Sequence, residues 1–173
     1  TAAYGNIARS LGGGIQLARS PGIIEGGLIS GNTAWLGGGI MVSGNPASLT
    51  FKNGEISGNK ARRGAGIMTQ TRGTLTINGG VIAQNKVEKI SSADIPGWDG
   101  KGGGVLANKG RFTMTGGTVY GSNGGGNANS ALQNNNGHAV YLYADDSETR
   151  LDEAKLTDPN NVSFDNTVTS YQP

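Results

Sequence analysis

Residues 37–67 read GGGIMVSGNPASLTFKNGEISGNKARRGAGI, and this stretch decides the fold. It contains one full copy of a repeating unit and the start of the next. A Gly-rich element ends in an apolar residue, an apolar-Thr-apolar segment follows, and Ile-Ser-Gly-Asn closes the unit. Short β-branched runs lie between glycines, and almost no stretch shows a helical period of 3.6 residues. Each unit is therefore predicted to hold three short strands separated by turns.

The unit recurs along the chain. Copies of the Gly-rich element begin at Gly12, Gly37, Gly64 and Gly102, with a degenerate copy at Gly137, at spacings of 25, 27, 38 and 35 residues. A period of about 26 residues with three strands and no helix is typical of one rung of a parallel β-solenoid. In such a coil each strand stacks on its counterpart about 4.8 Å away. The sequence therefore predicts an all-β parallel β-helix of about five rungs.

An asparagine closes the third strand of each predicted rung. These residues are Asn32, Asn59, Asn85 and Asn123. Asparagine amides stacked at one corner can hydrogen-bond along the axis of the coil. The sequence therefore predicts a structural asparagine ladder.

Two stretches, 86–101 and 124–136, depart from the period, and both are expected to enlarge the same corner of the coil. Insertions on a solenoid collect on one face, often the binding face. After residue 142 the motif fades into an acidic segment. The predicted organisation is a β-helix over 1–142 and an acidic cap or tail over 143–173.

Composition excludes several classes of protein. Glycine supplies 32 of 173 residues, charged residues are 15%, and cysteine is absent, which excludes disulfide scaffolds, thiol catalysis and iron-sulfur ligation. No apolar run approaches the roughly 20 residues of a membrane-spanning helix. Residues 1–139 hold 12 Lys/Arg against 5 Asp/Glu, or +7, and residues 140–173 hold 2 against 7, or −5. This asymmetry favours end-to-end, head-to-tail self-association of the chain into a fibre.

The GGGI, LTI-GG and ISGN elements resemble the Gly-rich right-handed parallel β-helix repeats of bacterial cell-surface proteins. They are similar to those of autotransporter passengers and polymorphic outer-membrane adhesins, and the resemblance covers about residues 6–142. It implies a right-handed coil, export to the cell surface or the extracellular space, and a structural or adhesive role.

One corner is a candidate binding site. Aligning the asparagines stacks Arg9, Trp35 and Arg62 on one edge, with Arg63 beside them and Trp98 in the adjoining insertion. A tryptophan between arginines can form a cation-π stack or a platform for a sugar ring or a partner protein. The alternative is that Trp35 folds over the corner and covers the insertion.

A stripe of apolar residues is predicted on the outer face of the first strands. Strand alternation directs Met41, Met68, Leu106 and Tyr141 outward, together with Gln16. Contiguous exposed apolar patches mark contact surfaces, so either a partner or the C-terminal tail is expected to cover this stripe.

A calcium-dependent polysaccharide lyase would need clustered acids with a basic residue nearby. The nearest candidates are Glu88, Asp94 and Asp99, with Arg62, Arg63 and Lys101 close in projection. Three acids in a loop are more often solvated. The lone His138 reads as a turn residue, since a general base also needs an orienting partner.

Two further patterns do not by themselves indicate a binding site. Thr50, Thr76 and Thr113 form a threonine array of the kind that can bind ice, but Lys52 and Arg111 interrupt it and threonine is a common strand residue. A glycosylation sequon begins at Asn161.

We expect a secreted or surface-exposed structural or adhesive protein with no catalytic residue, no metal and no cofactor. The expected partners are a second copy of the chain, a host or cell-surface protein, or a glycan, and not nucleic acid or a membrane. The alternative is a carbohydrate-binding or polysaccharide-cleaving β-helix protein that uses the Trp35 corner and the insertion.

Overall fold

The computed structural model describes residues 5–89, 100–122, 124–132, 138–143, 162–163 and 170–171. Within these ranges the secondary structure is β-strand, apart from one 3-10 turn at Gly125–Asn127. The strands are β1 (Ile7–Leu11), β2 (Ile15–Ala18), β3 (Pro21–Ile24), β4 (Leu28–Ser30), β5 (Thr33–Leu36), β6 (Ile40–Ser43), β7 (Ser48–Phe51), β8 (Glu55–Ser57), β9 (Lys60–Arg63), β10 (Ile67–Gln70), β11 (Thr74–Ala83), β12 (Lys86–Val87), β13 (Val105–Asn108), β14 (Arg111–Val119), β15 (Val140–Tyr143), β16 (Val162–Ser163) and β17 (Ser170–Tyr171).

The strands form three sheets. Sheet A has the order β1-β5-β9-β12, sheet B has the order β2-β6-β10-β13-β15, and sheet C has the order β3-β7-β11-β14-β16, with β4 and β8 extending it and β17 also on β14. All pairs are parallel except those of β16 and β17, which are antiparallel to β14. The predicted all-β fold with parallel sheets is confirmed.

Each parallel pair joins equivalent positions of neighbouring repeats. In sheet B, for example, Ile40 of β6 pairs with Ile67 of β10, which pairs with Val105 of β13. The glycine that opens each Gly-rich element provides the turn between sheet A and sheet B. Gly37 and Gly64 adopt φ values of 64° and 58° there, a conformation that costs little only for glycine.

The main core lies between sheets B and C. It consists of the alternate side chains that strand periodicity predicted to face inward. The largest fully buried members are Ile40, Val42, Leu49, Phe51, Ile56, Ile67, Leu75, Ile77, Ile82 and Met114. Transfer of such side chains from water is the main stabilising contribution to the fold, at roughly 1.5–3 kcal/mol each.

The predicted outer stripe is not an exposed surface. Met41 and Met68 have no solvent-accessible area and Leu106 is 3% exposed. They form a second apolar cluster, with Leu11, Leu36 and Tyr141 packed against it. Strand alternation shows that these side chains point away from the main core, but the residues that precede the glycine turns fold back over them. Met41, Met68 and Leu106 are therefore not available as a surface for a partner, contrary to the expectation, although Gln16 is exposed.

The two departures from the period lie next to each other, since Ser130 pairs with Lys86 and the Leu132 N–H donates to the Gly100 carbonyl. In the first, β12 continues sheet A, with Lys86 paired to Lys60, and residues 90–99 lie outside the described ranges. In the second, the 3-10 turn at Gly125–Asn127 precedes Asn129. Of the acidic segment 143–173, the structure describes Tyr143 as the end of β15, and β16 and β17 on the edge of β14.

Candidate functional sites

The Trp35–Arg62 corner is formed by adjacent strands of sheet A. The pairing of Ala34 with Ala61 places Trp35 of β5 beside Arg62 of β9. The Arg62 guanidinium carbon lies 5.9 Å from the centroid of the Trp35 ring, within cation-π range. Trp35 is 42% exposed, whereas Arg62 is 9% exposed. The arginine thus supports one part of the ring, and much of the indole is accessible.

The structure does not bring the other predicted members equally close. Arg9 is exposed and lies on β1 at an irregularity in the pairing with β5, between Ala8 and Leu11. Arg63 pairs with Leu36, so alternation directs it to the opposite side of β9 from Arg62. Trp98 lies outside the described residues. The corner therefore consists of Trp35 stacked on Arg62, with Arg9 at its border.

The charges next to this corner are paired. Glu88, the first residue of the candidate acidic cluster, contacts Lys60 at 3.2 Å and Lys86 at 3.4 Å. Asp94 and Asp99 lie outside the described residues. Lys101, the predicted basic neighbour, donates a hydrogen bond of 2.9 Å to the Tyr141 hydroxyl and lies over the Tyr141 ring. The described part of the chain contains no group of three potential metal ligands.

The asparagine ladder is built from side-chain amides one repeat apart. The Oδ1 atom of Asn59 accepts hydrogen bonds of 3.0 Å from the backbone N–H and from the Nδ2 atom of Asn32. Asn59 in turn donates to Asn85 in the same two ways, at 3.1 and 2.9 Å. The Nδ2 atom of Asn59 also donates to the Ile29 carbonyl at 2.9 Å. Each amide thus ties two repeats together.

The fourth member of the ladder is Asn129. Its Oδ1 atom accepts from the backbone N–H and the side chain of Asn85, both at 2.9 Å. The repeat pattern predicted Asn123 at this place, and Asn123 lies outside the described residues. The prediction followed the spacing from the third strand, whereas in the structure a 3-10 turn intervenes before the ladder resumes.

His138 occupies the turn before β15. Its Nδ1 atom accepts a hydrogen bond of 3.1 Å from the Ala131 N–H, and its carbonyl accepts one of 2.9 Å from Gly104. Burial lowers the pKa of His138, because desolvation disfavours the imidazolium ion. The predicted assignment as a turn residue agrees with these contacts.

Sheet C carries the predicted threonine array on its outer face. Thr50, Thr76 and Thr113 are in register, while Arg111 stands in line with Ser48 and Thr74. Lys52 forms an exposed ion pair of 2.9 Å with Glu25. The sequence pattern predicted Arg111 only as an interruption of this array. The pairing of Arg111 with Thr74 across repeats is the signal that could have indicated its neighbours.

The chain matches no known family model, and neither the curated proteins nor the solved structures include a match. The assignment of function therefore depends on the geometry of the chain itself. Within the described ranges, no helix has the length and hydropathy needed to cross a bilayer.

Proposed function

We propose that the chain is a right-handed parallel β-helix of about five rungs, with a structural or adhesive role outside the cell or on its surface. Three sheets whose neighbouring strands come from successive repeats support the coil, because a chain that winds once per repeat pairs its strands in that way. The buried amide ladder adds a rigid connection along the axis. The extracellular location rests on the resemblance to Gly-rich cell-surface repeats.

The observation that carries this proposal is an exposed apolar edge of the sheets. Among the described residues, β1, β2 and β3 are edge strands of sheets A, B and C, and all three belong to the first part of the repeat array. Ile7, Ile23 and Leu28 are 79%, 62% and 63% exposed, whereas the residues paired with them in the next repeat are polar, namely Thr33, Thr50 and Glu55. Exposed apolar edges invite pairing with another chain. This end also has a cavity of about 280 Å³ bordered by Asn6, Ile29 and Asn32.

The occupant we propose for this end is a second copy of the chain, meeting the first through the same end. At the other end, β16 and β17 already pair with the outer edge of β14, so a parallel strand cannot join sheet C there without displacing them. The head-to-tail contact favoured by charge would require that displacement. A contact between two N-terminal edges leaves β16 and β17 in place and closes on itself as a dimer.

Sedimentation velocity over a range of protein concentrations tests this association. The expected result is a monomer-dimer equilibrium that stops at two copies. Leu28→Lys should shift it to monomer, and Leu132→Lys is the matched control, because Leu132 is also an exposed leucine but lies in the fourth repeat. A monomer at all concentrations would overturn the proposal. Polymers that grow with concentration and dissociate in salt would replace it with the head-to-tail contact.

A second candidate function is carbohydrate binding at the Trp35–Arg62 corner. The accessible indole face favours it, since aromatic rings commonly provide an apolar platform with a polar neighbour. Polysaccharide cleavage is the enzymatic form of this alternative. Incubation with acidic polysaccharides tests it directly, because a lyase would produce unsaturated ends that absorb in the ultraviolet.

A further inference from the structure

The turn between sheets B and C has an unusual backbone. The residue that follows each described sheet B strand from β2 to β13 adopts a positive φ, and it is glycine at only one of these positions. The residues are Arg19, Gly44, Thr71 and Lys109, with φ values of 55°, 83°, 54° and 55°. Arg72 also has a positive φ, of 64°. A side chain in this conformation is strained relative to glycine, and such strain is a reason to look for function.

Next to this turn lies a polar cleft of about 330 Å³. Its lining residues are Asn45, Arg72, Thr74 and Arg111. They come from three successive repeats. The register of β11 and β14 pairs Thr74 with Arg111, and the backbone N–H of Thr74 bonds to the Ala47 carbonyl at 3.0 Å, which brings the loop containing Asn45 alongside.

The backbone at the base of the cleft is held by hydrogen bonds between repeats. The N–H of Arg72 donates to the Lys109 carbonyl and that of Arg111 donates to the Gly73 carbonyl, both at 2.9 Å. The two arginine side chains therefore start from fixed positions on neighbouring repeats, and Arg111 is in line with Thr74, two residues after Arg72. Both residues are exposed, so a ligand can reach them.

The cleft is positively charged. Among the described residues the acids are Glu25, Glu55 and Glu88, and the ion pairs they form involve lysines elsewhere on the surface. Neither Arg72 nor Arg111 belongs to an ion pair within the described part of the chain. Two guanidinium groups, an amide and a hydroxyl thus line one cleft without a described carboxylate partner.

We propose that this cleft binds a sulfate or carboxylate group of an acidic polysaccharide. The guanidinium fork matches the oxygens of such groups, and the Asn45 amide and the Thr74 hydroxyl can complete the hydrogen bonding. Arg19 adds a third cation on the first repeat. Its side chain lies against Gly44 of the second repeat, since its Cγ atom is 2.9 Å from the position that a β-carbon of Gly44 would take. A line of cations along the axis suits a linear polyanion. The cleft lining has no aromatic ring on which a nucleobase could stack.

Titration calorimetry of the full chain with heparin oligosaccharides, inorganic sulfate and single-stranded DNA tests the proposal. We expect heparin oligosaccharides to bind, and the double substitution Arg72→Gln/Arg111→Gln to weaken their binding about tenfold or more. The matched control is Lys52→Gln, which removes an exposed cation that lies outside the cleft and should change the affinity less than twofold. Circular dichroism and thermal melting of each variant establish that it is folded.

The probes separate the possible sources of the anion. Heparin binding much tighter than sulfate binding, with sulfate competing only at high concentration, supports a polymeric ligand. Sulfate binding as tight as that of heparin would reduce the cleft to a small-anion site and overturn the polysaccharide proposal. An equal loss in the Lys52→Gln control, or equally tight DNA binding, would indicate general attraction of polyanions and also overturn it. This test is independent of the association of the N-terminal edges.

Discussion

The side-chain amide of Asn59 packs directly against Gly39. A β-carbon built on Gly39 would lie 3.0 Å from the Nδ2 atom of Asn59 and 2.6 Å from the Gly66 carbonyl oxygen. The same relationship joins Gly14 to Asn32, Gly66 to Asn85 and Gly104 to Asn129, at 2.9 to 3.0 Å. The third position of each Gly-rich element and the ladder asparagine of the same repeat therefore form one structural unit.

This contact predicts that Gly39→Ala is destabilising. The added methyl group must displace both a ladder amide and a backbone carbonyl, and overpacking of this kind costs about 1–3 kcal/mol. Urea unfolding should show the loss as a lower midpoint. The control is Gly26→Ala, because nothing lies within 4 Å of the β-carbon position there and Gly26 lacks a positive φ. Equal midpoints for the two variants would contradict the contact.

The ladder itself predicts a large effect of Asn59→Leu. Asn59 is fully buried, and its loss leaves the Nδ2 atom of Asn32 and the Ile29 carbonyl without this partner. Each buried polar group left unsatisfied costs about 1–3 kcal/mol, so we expect a total loss of roughly 2–5 kcal/mol. Asn78→Leu is the control, since Asn78 is exposed and, within the described part of the chain, its side chain accepts one hydrogen bond, from the Thr115 hydroxyl. A neutral or raised melting temperature for Asn59→Leu would show that the amide is not structural.

The Trp35–Arg62 corner predicts selective loss of ligand binding. If the accessible indole is the platform, Trp35→Ala should weaken binding to glycans or host cells about tenfold, while Trp35→Phe retains most of it. Because Trp35 is partly exposed, the circular dichroism spectrum should stay the same. A glycan array and a cell-binding assay measure the effect. Unchanged binding by Trp35→Ala would eliminate this corner as the site.

His138 predicts a pH dependence of stability. Burial lowers its pKa in the folded protein below the ordinary value of 6.5, so the unfolded chain takes up a proton first as the pH falls. Stability should therefore decrease as the pH falls through about 6.5 and should level off below the folded-state pKa. Protonation at Nδ1 would also break the hydrogen bond from the Ala131 N–H.

The measurement compares unfolding free energies of the natural chain and His138→Asn between pH 8 and pH 5. The difference between them should change with pH in that window. Since the chain has a single histidine, its imidazole signals in NMR spectra report the folded-state pKa directly. A pKa at or above 6.5, or parallel stability curves, would contradict the assignment.

The repeating unit determined much of the fold. Glycine turns, short β-branched runs and a terminal asparagine recur about every 26 residues in the first repeats, and parallel stacking of equivalent positions follows from that recurrence. Asn32, Asn59 and Asn85 stack because each lies one repeat from the next. The inward faces of Ile40, Ile67 and Val105 follow from the two-residue period of a strand.

Contacts in the tertiary structure determine three features that the repeat pattern does not specify. The Gly/Asn-rich stretch of the fourth repeat offers several asparagines, and only the hydrogen bonds from Asn85 select Asn129 for the ladder. The alternation of side chains along a strand predicts the side of β6 on which Met41 lies. That this side is buried follows from the packing of Leu36 against the cluster that contains Met41. Arg72 and Arg111 are 39 positions apart in the chain, and cross-repeat pairing places them beside one cleft. Sequence periodicity specifies the local backbone conformation and the side of the strand on which each residue lies. Contacts between repeats depend in addition on the lengths of the loops, because these lengths set the register of the repeats.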